Sequence, residues 1–201
     1  MLRVGLTGGL ACGKTFVGEE LERLGCLLIV ADELGHDVLQ PGGEAHDAVA
    51  REFGPEILDG NGRIDRQALA AVVFGDPARL ARLNALIHPL VVRREEETMA
   101  RYAAANPKGI AVVEAAILIE TGSYKRFDRI ILATCDQEQQ LERALRREGA
   151  SEADVEARLG RQMPLAEKRK YADFVIDTSG EKSSTLRQTR AVYEALRRIE
   201  S

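Results

Sequence analysis

Residues 5–16 of the chain read GLTGGLACGKTF, and this stretch joins a predicted strand to a predicted helix. The apolar pattern assigns the strand to RVGL (3–6) and the helix to KTFVGEELERLG (14–25). A simple turn needs one or two glycines, whereas this stretch has four, together with a lysine and a threonine. Glycine lets another group come close to the backbone, so we expect the stretch to hold a ligand.

The spacing within this stretch indicates that the ligand is the phosphate chain of a nucleotide. Gly8, four further residues and then Gly13-Lys14-Thr15 fit the pattern G-x-x-x-x-G-K-[ST]. In such a loop the backbone N–H groups and the positive end of the next helix face the same anionic group. We expect Lys14 to reach the β- and γ-phosphates and the Thr15 hydroxyl to hold Mg²⁺. A glycine-rich turn with an incidental lysine is the alternative.

The whole loop is predicted to bind the nucleotide. Its binding residues are expected to be Gly8, Gly9, Ala11, Cys12, Gly13, Lys14, Thr15 and Phe16. Within this set, Cys12 is interpreted as a small tolerated side chain, and a redox sensor is the alternative.

Four more apolar runs of strand length follow, separated by longer amphipathic stretches. They are LLIV (27–30), IAVVEA (110–115), RIILAT (129–134) and DFVID (173–177). Strands that alternate with helices indicate an α/β fold with a parallel sheet. Together with the loop, they predict a three-layer α/β/α P-loop NTPase fold with a five-stranded parallel sheet. We expect the second strand to pair with the first.

The helical stretches divide this single predicted domain, residues 1–201, into a core and two helical additions. The core covers about 1–32, 107–139 and 172–201. Residues 33–106 contain no convincing strand and are predicted to form a helical insertion that binds an acceptor. The charged helical residues 140–171 are predicted to form a lid. Inside the insertion, Asp76-Pro77 predicts a helix start, because proline is favoured at the first helical position.

Composition excludes several classes of protein. The chain of 201 residues is 45% hydrophobic and 30% charged, with a net charge of −4. Its aromatic content is 4% and it has no Trp, so neither charge nor stacking groups favour nucleic-acid binding. No run approaches the ~20 apolar residues of a membrane span.

Three cysteines without a CxxC pair predict reduced thiols in the cytoplasm. We also expect a monomer or a weak homo-oligomer.

The remaining motifs favour a small-molecule kinase. Neither an N-K-x-D guanine motif nor an LSGGQ signature occurs, which argues against a small GTPase and against a transporter ATPase. A helical insertion and an arginine-rich lid suit an enzyme that uses ATP and Mg²⁺ and excludes water from the phosphoryl group. A non-catalytic nucleotide sensor is the alternative from another class.

Two groups of charged residues are candidates for catalysis. Asp32 follows the second strand, where a carboxylate can orient or deprotonate an acceptor hydroxyl, although a helix N-cap is the alternative. Arg143, with Arg146 and Arg147 on the same helix, can stabilise the transferring phosphoryl group. A solvated helix face is the alternative for these arginines. Weaker candidates are Arg158 and Arg161, together with the uncharged Gln162.

Two further positions have both a structural and a functional interpretation. Glu114 ends the third strand and is expected either to approach Mg²⁺ or the acceptor, or to cap the next turn. His88-Pro89 lies in an apolar helical stretch, where a lone histidine is usually structural.

Four stretches resemble the dephospho-CoA kinase family over essentially the full chain. GLTGGLACGKT (5–15) resembles the family's LTGGIGSGKS, and VADELGHDVLQPG (30–42) resembles D-A-D-x-x-A-R-x-x-x-x-P-G. LNALIHPLV (83–91) resembles N-x-L-x-H-P-x-V/I. RLGRQMPLAEKRKYADFVIDTSG (158–180) resembles R-x-x-x-Q-M…K…A-D-x-V-I-D-N-x-G. The third and fourth stretches, together with the first, make the resemblance specific.

The resemblance implies transfer of the γ-phosphoryl group of ATP to the 3′-hydroxyl of the ribose of dephospho-CoA, the last step of coenzyme A synthesis. It implies that Asp32 is the base, that Arg143 contacts phosphate, and that His88 and Pro89 bind the acceptor. The chain departs from the family pattern at several places, including Val30, Ala11, Cys12 and Thr178, where the family often has Asp, Gly, Ser and Asn. A kinase of another small acceptor, such as a nucleoside monophosphate, is the alternative.

Overall fold

The structure is a computed structural model that describes residues 1–146 and 151–200. It does not describe the side chains of Phe74, Ala153, Asp154, Arg158, Arg161 and Glu200. The chain forms two compact units, one of Met1–Val30 with Arg101–Ser201 and the other of Ala31–Ala100.

The first unit is built on a parallel sheet of five strands, as the sequence predicts. The strands are β1 Leu2–Gly8, β2 Leu27–Val30, β3 Ile110–Glu114, β4 Arg129–Thr134 and β5 Phe174–Asp177. Their order is β2-β3-β1-β4-β5, and each neighbouring pair is parallel. The predicted α/β fold with a five-stranded parallel sheet is therefore confirmed.

The expectation that β2 pairs with β1 is wrong, because β3 lies between them. All five residues of β3 are buried, whereas only one of the four residues of β2 is. A strand buried on both faces belongs inside a parallel sheet, and a half-buried strand suits its edge. Burial thus favours the order observed over the order of the strands in the sequence.

Two helices of the first unit share the main apolar core of the sheet. The helices within the described residues, 1–146 and 151–200, are α1 Lys14–Arg23, α2 Ala31–Asp37, α3 His46–Phe53, α4 Arg66–Phe74, α5 Pro77–Ala105, α6 Gln137–Leu145, α7 Glu152–Arg161, α8 Leu165–Lys168 and α9 Lys182–Glu200. Val17 and Leu21 of α1 and Leu196 of α9 are buried against Val4 and Leu6 of β1. This packing fixes the start of α1, and with it the phosphate loop, against the carboxyl end of β1.

The second unit is helical and has an apolar core of its own. Val49 and Phe53 of α3 pack with Val73 of α4 and Val91 of α5. α5 begins at Pro77, and the Asp76 carboxylate accepts from the N–H of Ala78 at 2.8 Å, as the sequence predicts for this helix start. None of the helices in residues 1–146 and 151–200 combines the length and apolar character that a membrane crossing requires.

Candidate active site

The predicted phosphate loop connects β1 to α1, and its backbone geometry explains its glycines. A Cβ at Gly8 would lie 2.3 Å from the carbonyl oxygen of Ala133 in β4, so no other residue fits there. Gly13 has a φ of 71° and caps α1 without a side-chain hydrogen bond to the helix. The N–H groups of the first turn of α1 are therefore left to face an anion.

Lys14 and the loop surround a small pocket. The Lys14 ammonium lies 3.0 Å from the carbonyl oxygen of Gly9 and 3.5 Å from that of Gly8, so the side chain folds back over the loop. The cavity beside it has a volume of about 140 Å³ and is lined by Ala11, Cys12, Gly13, Lys14, Thr15 and Arg143. The fold thus brings Arg143 beside five of the predicted nucleotide-binding residues.

Arg143 is held in place by a residue that sequence reasoning did not select. Its guanidinium, on α6, donates to the Thr178 hydroxyl at 3.2 Å and to the Thr178 carbonyl oxygen at 2.9 Å. The Thr178 hydroxyl also lies 3.2 Å from the carbonyl oxygens of Cys12 and Thr134. Thr178, directly after β5, therefore connects Arg143 to the loop. The sequence had marked this position only as a departure from the family pattern.

Thr15 and Glu114 present oxygen atoms to the same place. The Thr15 hydroxyl donates to Oε1 of Glu114 at 3.2 Å, and Glu114 ends β3, the strand next to β1. Hydroxyl and carboxylate oxygens suit Mg²⁺, which usually takes its other ligands from water and substrate phosphates. No group of three or more His, Cys, Asp or Glu side chains within the described residues is placed to hold a metal ion. The pair therefore fits a cation that is shared with a nucleotide.

The segment predicted as a lid contacts the loop through Gln162. The side-chain oxygen of Gln162 accepts from the backbone N–H of Leu10 at 2.8 Å. Arg146 forms an ion pair with Glu142 at the surface, which matches the solvated-face alternative for that residue. Arg147 lies outside the described residues, and so do the side chains of Arg158 and Arg161.

The acceptor candidates lie in the second unit. Asp32 is exposed within the first turn of α2, so it is a helical residue and not the N-cap of that helix. His88 lies in α5, and burial lowers its pKa, which favours the neutral imidazole. Pro89 is inside the same helix and has no N–H to bond the carbonyl of Ala85.

Cys12 is buried beside another thiol. Its sulfur lies 3.0 Å from that of Cys135, and burial raises the pKa of Cys135 to about 12. Both cysteines, and Cys26, are free thiols. Cys12 is itself fully buried, and a buried cysteine is inert compared with a reactive, exposed one, which favours the interpretation of Cys12 as a small packing residue.

These features define a class of protein, and comparison with known proteins narrows it. A phosphate loop after the first strand of a parallel sheet, with an arginine facing its pocket, defines a P-loop kinase. The chain is 32% identical to a protein from Thermus thermophilus of known crystal structure, with a TM-score of 0.84 over 96% of both chains. A solved dephospho-CoA kinase from Campylobacter jejuni shares the fold, with a TM-score of 0.63, 24% identity and 96% of each chain covered.

The family is shown by sequence. The model of the family described as dephospho-CoA kinase matches residues 2–184. A dephospho-CoA kinase from Aquifex aeolicus is 39% identical over 198 residues, which are 98% of this chain and 99% of the relative. The chain belongs to the dephospho-CoA kinase family.

Proposed function

We propose that the protein transfers the γ-phosphoryl group of ATP to the 3′-hydroxyl of the ribose of dephospho-CoA, giving coenzyme A and ADP. The observation that carries this function is the pocket that the phosphate loop forms with Arg143. Membership of the dephospho-CoA kinase family supports the choice of acceptor. The reaction would be the final step of coenzyme A biosynthesis, and a cytoplasmic location stays a prediction.

The nucleotide is held by charge and by backbone N–H groups. The backbone N–H groups of the loop and of the first turn of α1 bind the phosphates. Lys14 moves from the loop carbonyls to the β- and γ-phosphates. Arg143, already fixed by Thr178, faces the same pocket and stabilises the charge that spreads over the transferring group. Thr15 and Glu114 would hold Mg²⁺, which neutralises charge on the phosphates.

The acceptor is assigned to residues of the second unit. The exposed carboxylate of Asp32 accepts or orients the proton of the 3′-hydroxyl, in line with its match to the second Asp of the family's D-A-D segment. The neutral imidazole of His88 can both donate and accept a hydrogen bond, which suits binding of a polar acceptor next to Pro89. These roles rest on the resemblance and on the exposure and charge of each side chain.

The test is ADP release from ATP and Mg²⁺ with dephospho-CoA, with nucleoside monophosphates, and without acceptor. We expect release to depend on dephospho-CoA, and the product to gain one phosphate, located on the ribose 3′-oxygen by mass spectrometry of fragments. Release that depends on a monophosphate would instead support the kinase of another acceptor. ATP binding without turnover with any acceptor would support a nucleotide sensor.

A further inference from the structure

The first half of the phosphate loop needs support from outside itself. Ala11 has a φ of 57°, a left-handed conformation that an alanine rarely adopts. Within the loop, the N–H of Cys12 bonds the carbonyl of Gly9 at 3.3 Å, close to the limit of a hydrogen bond. Contacts with other segments must therefore hold residues 9–12 in the shape that binds phosphate.

Gln162 supplies one such contact. Its side-chain atom 2.8 Å from the Leu10 N–H must be the oxygen, because a backbone N–H requires an acceptor. Leu10 and Ala11 also pack against Ala144 of α6 and Val155 of α7. The loop is thus bonded as well as packed to the helices of the 140–171 segment.

Gln162 is itself anchored to the segment after β3 by the residues that follow it. The N–H of Met163 donates to Oε1 of Glu120 at 2.9 Å, and the Lys168 ammonium lies 2.9 Å from the same oxygen. Lys168 is fully buried and also donates to the carbonyl of Ala116, two residues beyond β3, at 2.8 Å. Removing either charge of a buried ion pair is strongly unfavourable, so this anchor fixes the backbone beside Gln162.

The other end of the same segment holds the other half of the loop. Arg143 bonds Thr178, and the Thr178 hydroxyl lies 3.2 Å from the carbonyl of Cys12. Gln162 and Thr178 therefore contact the loop at Leu10 and Cys12, on either side of the left-handed Ala11.

We propose that Gln162 is a positioning residue for nucleotide binding. By accepting from the Leu10 N–H it keeps the phosphate loop in its binding conformation before ATP arrives. Without this bond the loop samples other conformations, and the apparent Kd rises in inverse proportion to the fraction of protein that remains competent to bind. The inference rests on the proposed function only in taking ATP as the ligand.

The experiment compares Gln162→Met, Gln162→Glu and the matched control Gln188→Met. Met fills similar space without a strong acceptor, whereas Glu keeps an acceptor oxygen at the same reach. Gln188, on α9, bonds the backbone of Asp177 instead of Leu10, accepting from its N–H at 3.0 Å and donating to its carbonyl oxygen at 2.9 Å. Amide exchange of Leu10 by NMR and the Kd of Mg-ATP by calorimetry are measured for each variant, without any acceptor.

In Q162M we expect the Leu10 amide to exchange about tenfold faster and the Kd for Mg-ATP to rise about tenfold, the effect of one lost hydrogen bond. Turnover at saturating ATP stays near that of the unmodified protein, because bound ATP restores the loop. Q162E keeps the Leu10 amide protected, and so does Q188M, because Gln188 does not bond the Leu10 N–H. Gln162→Asn, whose amide is one methylene shorter, replaces Q162M if that variant does not fold.

Unchanged Leu10 exchange in Q162M would overturn the proposal, and so would faster exchange with an unchanged Kd. A large fall in turnover at saturating ATP would also overturn it, because Gln162 would then act on the transition state. Failure of the unmodified protein to phosphorylate dephospho-CoA would refute the proposed function alone. The Leu10 amide exchange and the Kd of Mg-ATP are both measured without the acceptor, so they would still test the role of Gln162.

Discussion

Replacing Lys14 with Met removes a positive charge that lines the pocket of the phosphate loop. The ammonium is 3.0 Å from the carbonyl oxygen of Gly9, so in the free protein it is already held above the pocket. Two unit charges about 4 Å apart interact by about 4 kcal/mol at an effective dielectric constant of about 20. Because Met keeps the length and packing of the stem, we expect kcat/KM to fall by about 10²–10³, or about 3–4 kcal/mol of transition-state stabilisation.

The assay is steady-state ADP formation in the presence of dephospho-CoA, with thermal unfolding to establish that each variant is folded. Lys182→Met is the matched control, because this lysine lies near the loop, 5.6 Å above the ring of Phe16, but does not line the pocket. We expect the control to keep kcat/KM within about threefold. If Lys14→Met retained its activity, or if Lys182→Met lost as much, the charge of Lys14 would not be what the pocket uses.

Three further predictions concern Arg143, Glu20 and Cys135. Arg143→Lys keeps the charge but cannot make both bonds to Thr178, so kcat should fall at least about tenfold with a smaller change in the KM for ATP; full activity in steady-state kinetics would mean that charge alone suffices. Hydrogen bonding to Arg23 lowers the pKa of Glu20 from 4.5 to about 2, so its contribution to stability is complete above about pH 4.5 and is lost as the pH falls towards 2. In urea unfolding, Glu20→Gln should therefore cost about 1 kcal/mol at pH 6 and almost nothing at pH 2, and an equal cost at both values would contradict this. Since its pKa is about 12, Cys135 should not react with an aromatic disulfide reagent at pH 7.5 until the protein is unfolded; labelling of the folded protein would show that the site opens.

The strands could be located from sequence because burial on both faces leaves an unbroken apolar run. The run at 129–134 coincides with β4, and the run at 27–30 coincides with β2. The order of the strands was less accessible, because nothing in LLIV itself says which strand it pairs with. The decisive property is that β3 is buried throughout, and it becomes informative only when strands are compared with each other.

The loop was predictable because its chemistry is local in sequence, whereas its supports are distant. Gly8, Gly13 and Lys14 are separated by a few residues, and the two glycines are required by the backbone geometry of one turn. The bond from Leu10 to Gln162 joins positions 152 residues apart, and its existence depends on where α7 ends against the sheet. Glu114 is an intermediate case. From sequence alone, a carboxylate at the end of a strand can either approach Mg²⁺ or the acceptor, or cap the next turn. The first role is favoured only once β3 is known to lie beside β1.

Three of the departures from the family pattern, Ala11, Cys12 and Thr178, meet at one point of the structure, which explains how the chain accommodates them. Ala11 stands where the family often has glycine, yet the loop still requires a positive φ there. Such a conformation persists only where the surroundings hold it. Here Thr178, another departure, has its hydroxyl 3.2 Å from the carbonyl of Cys12, and Gln162 bonds Leu10 on the other side. The strain at Ala11 and the contacts made by the 140–171 segment are therefore parts of one arrangement. A glycine at position 11 would make the loop less dependent on Gln162, so the tenfold effect expected for Q162M should shrink in an Ala11→Gly background.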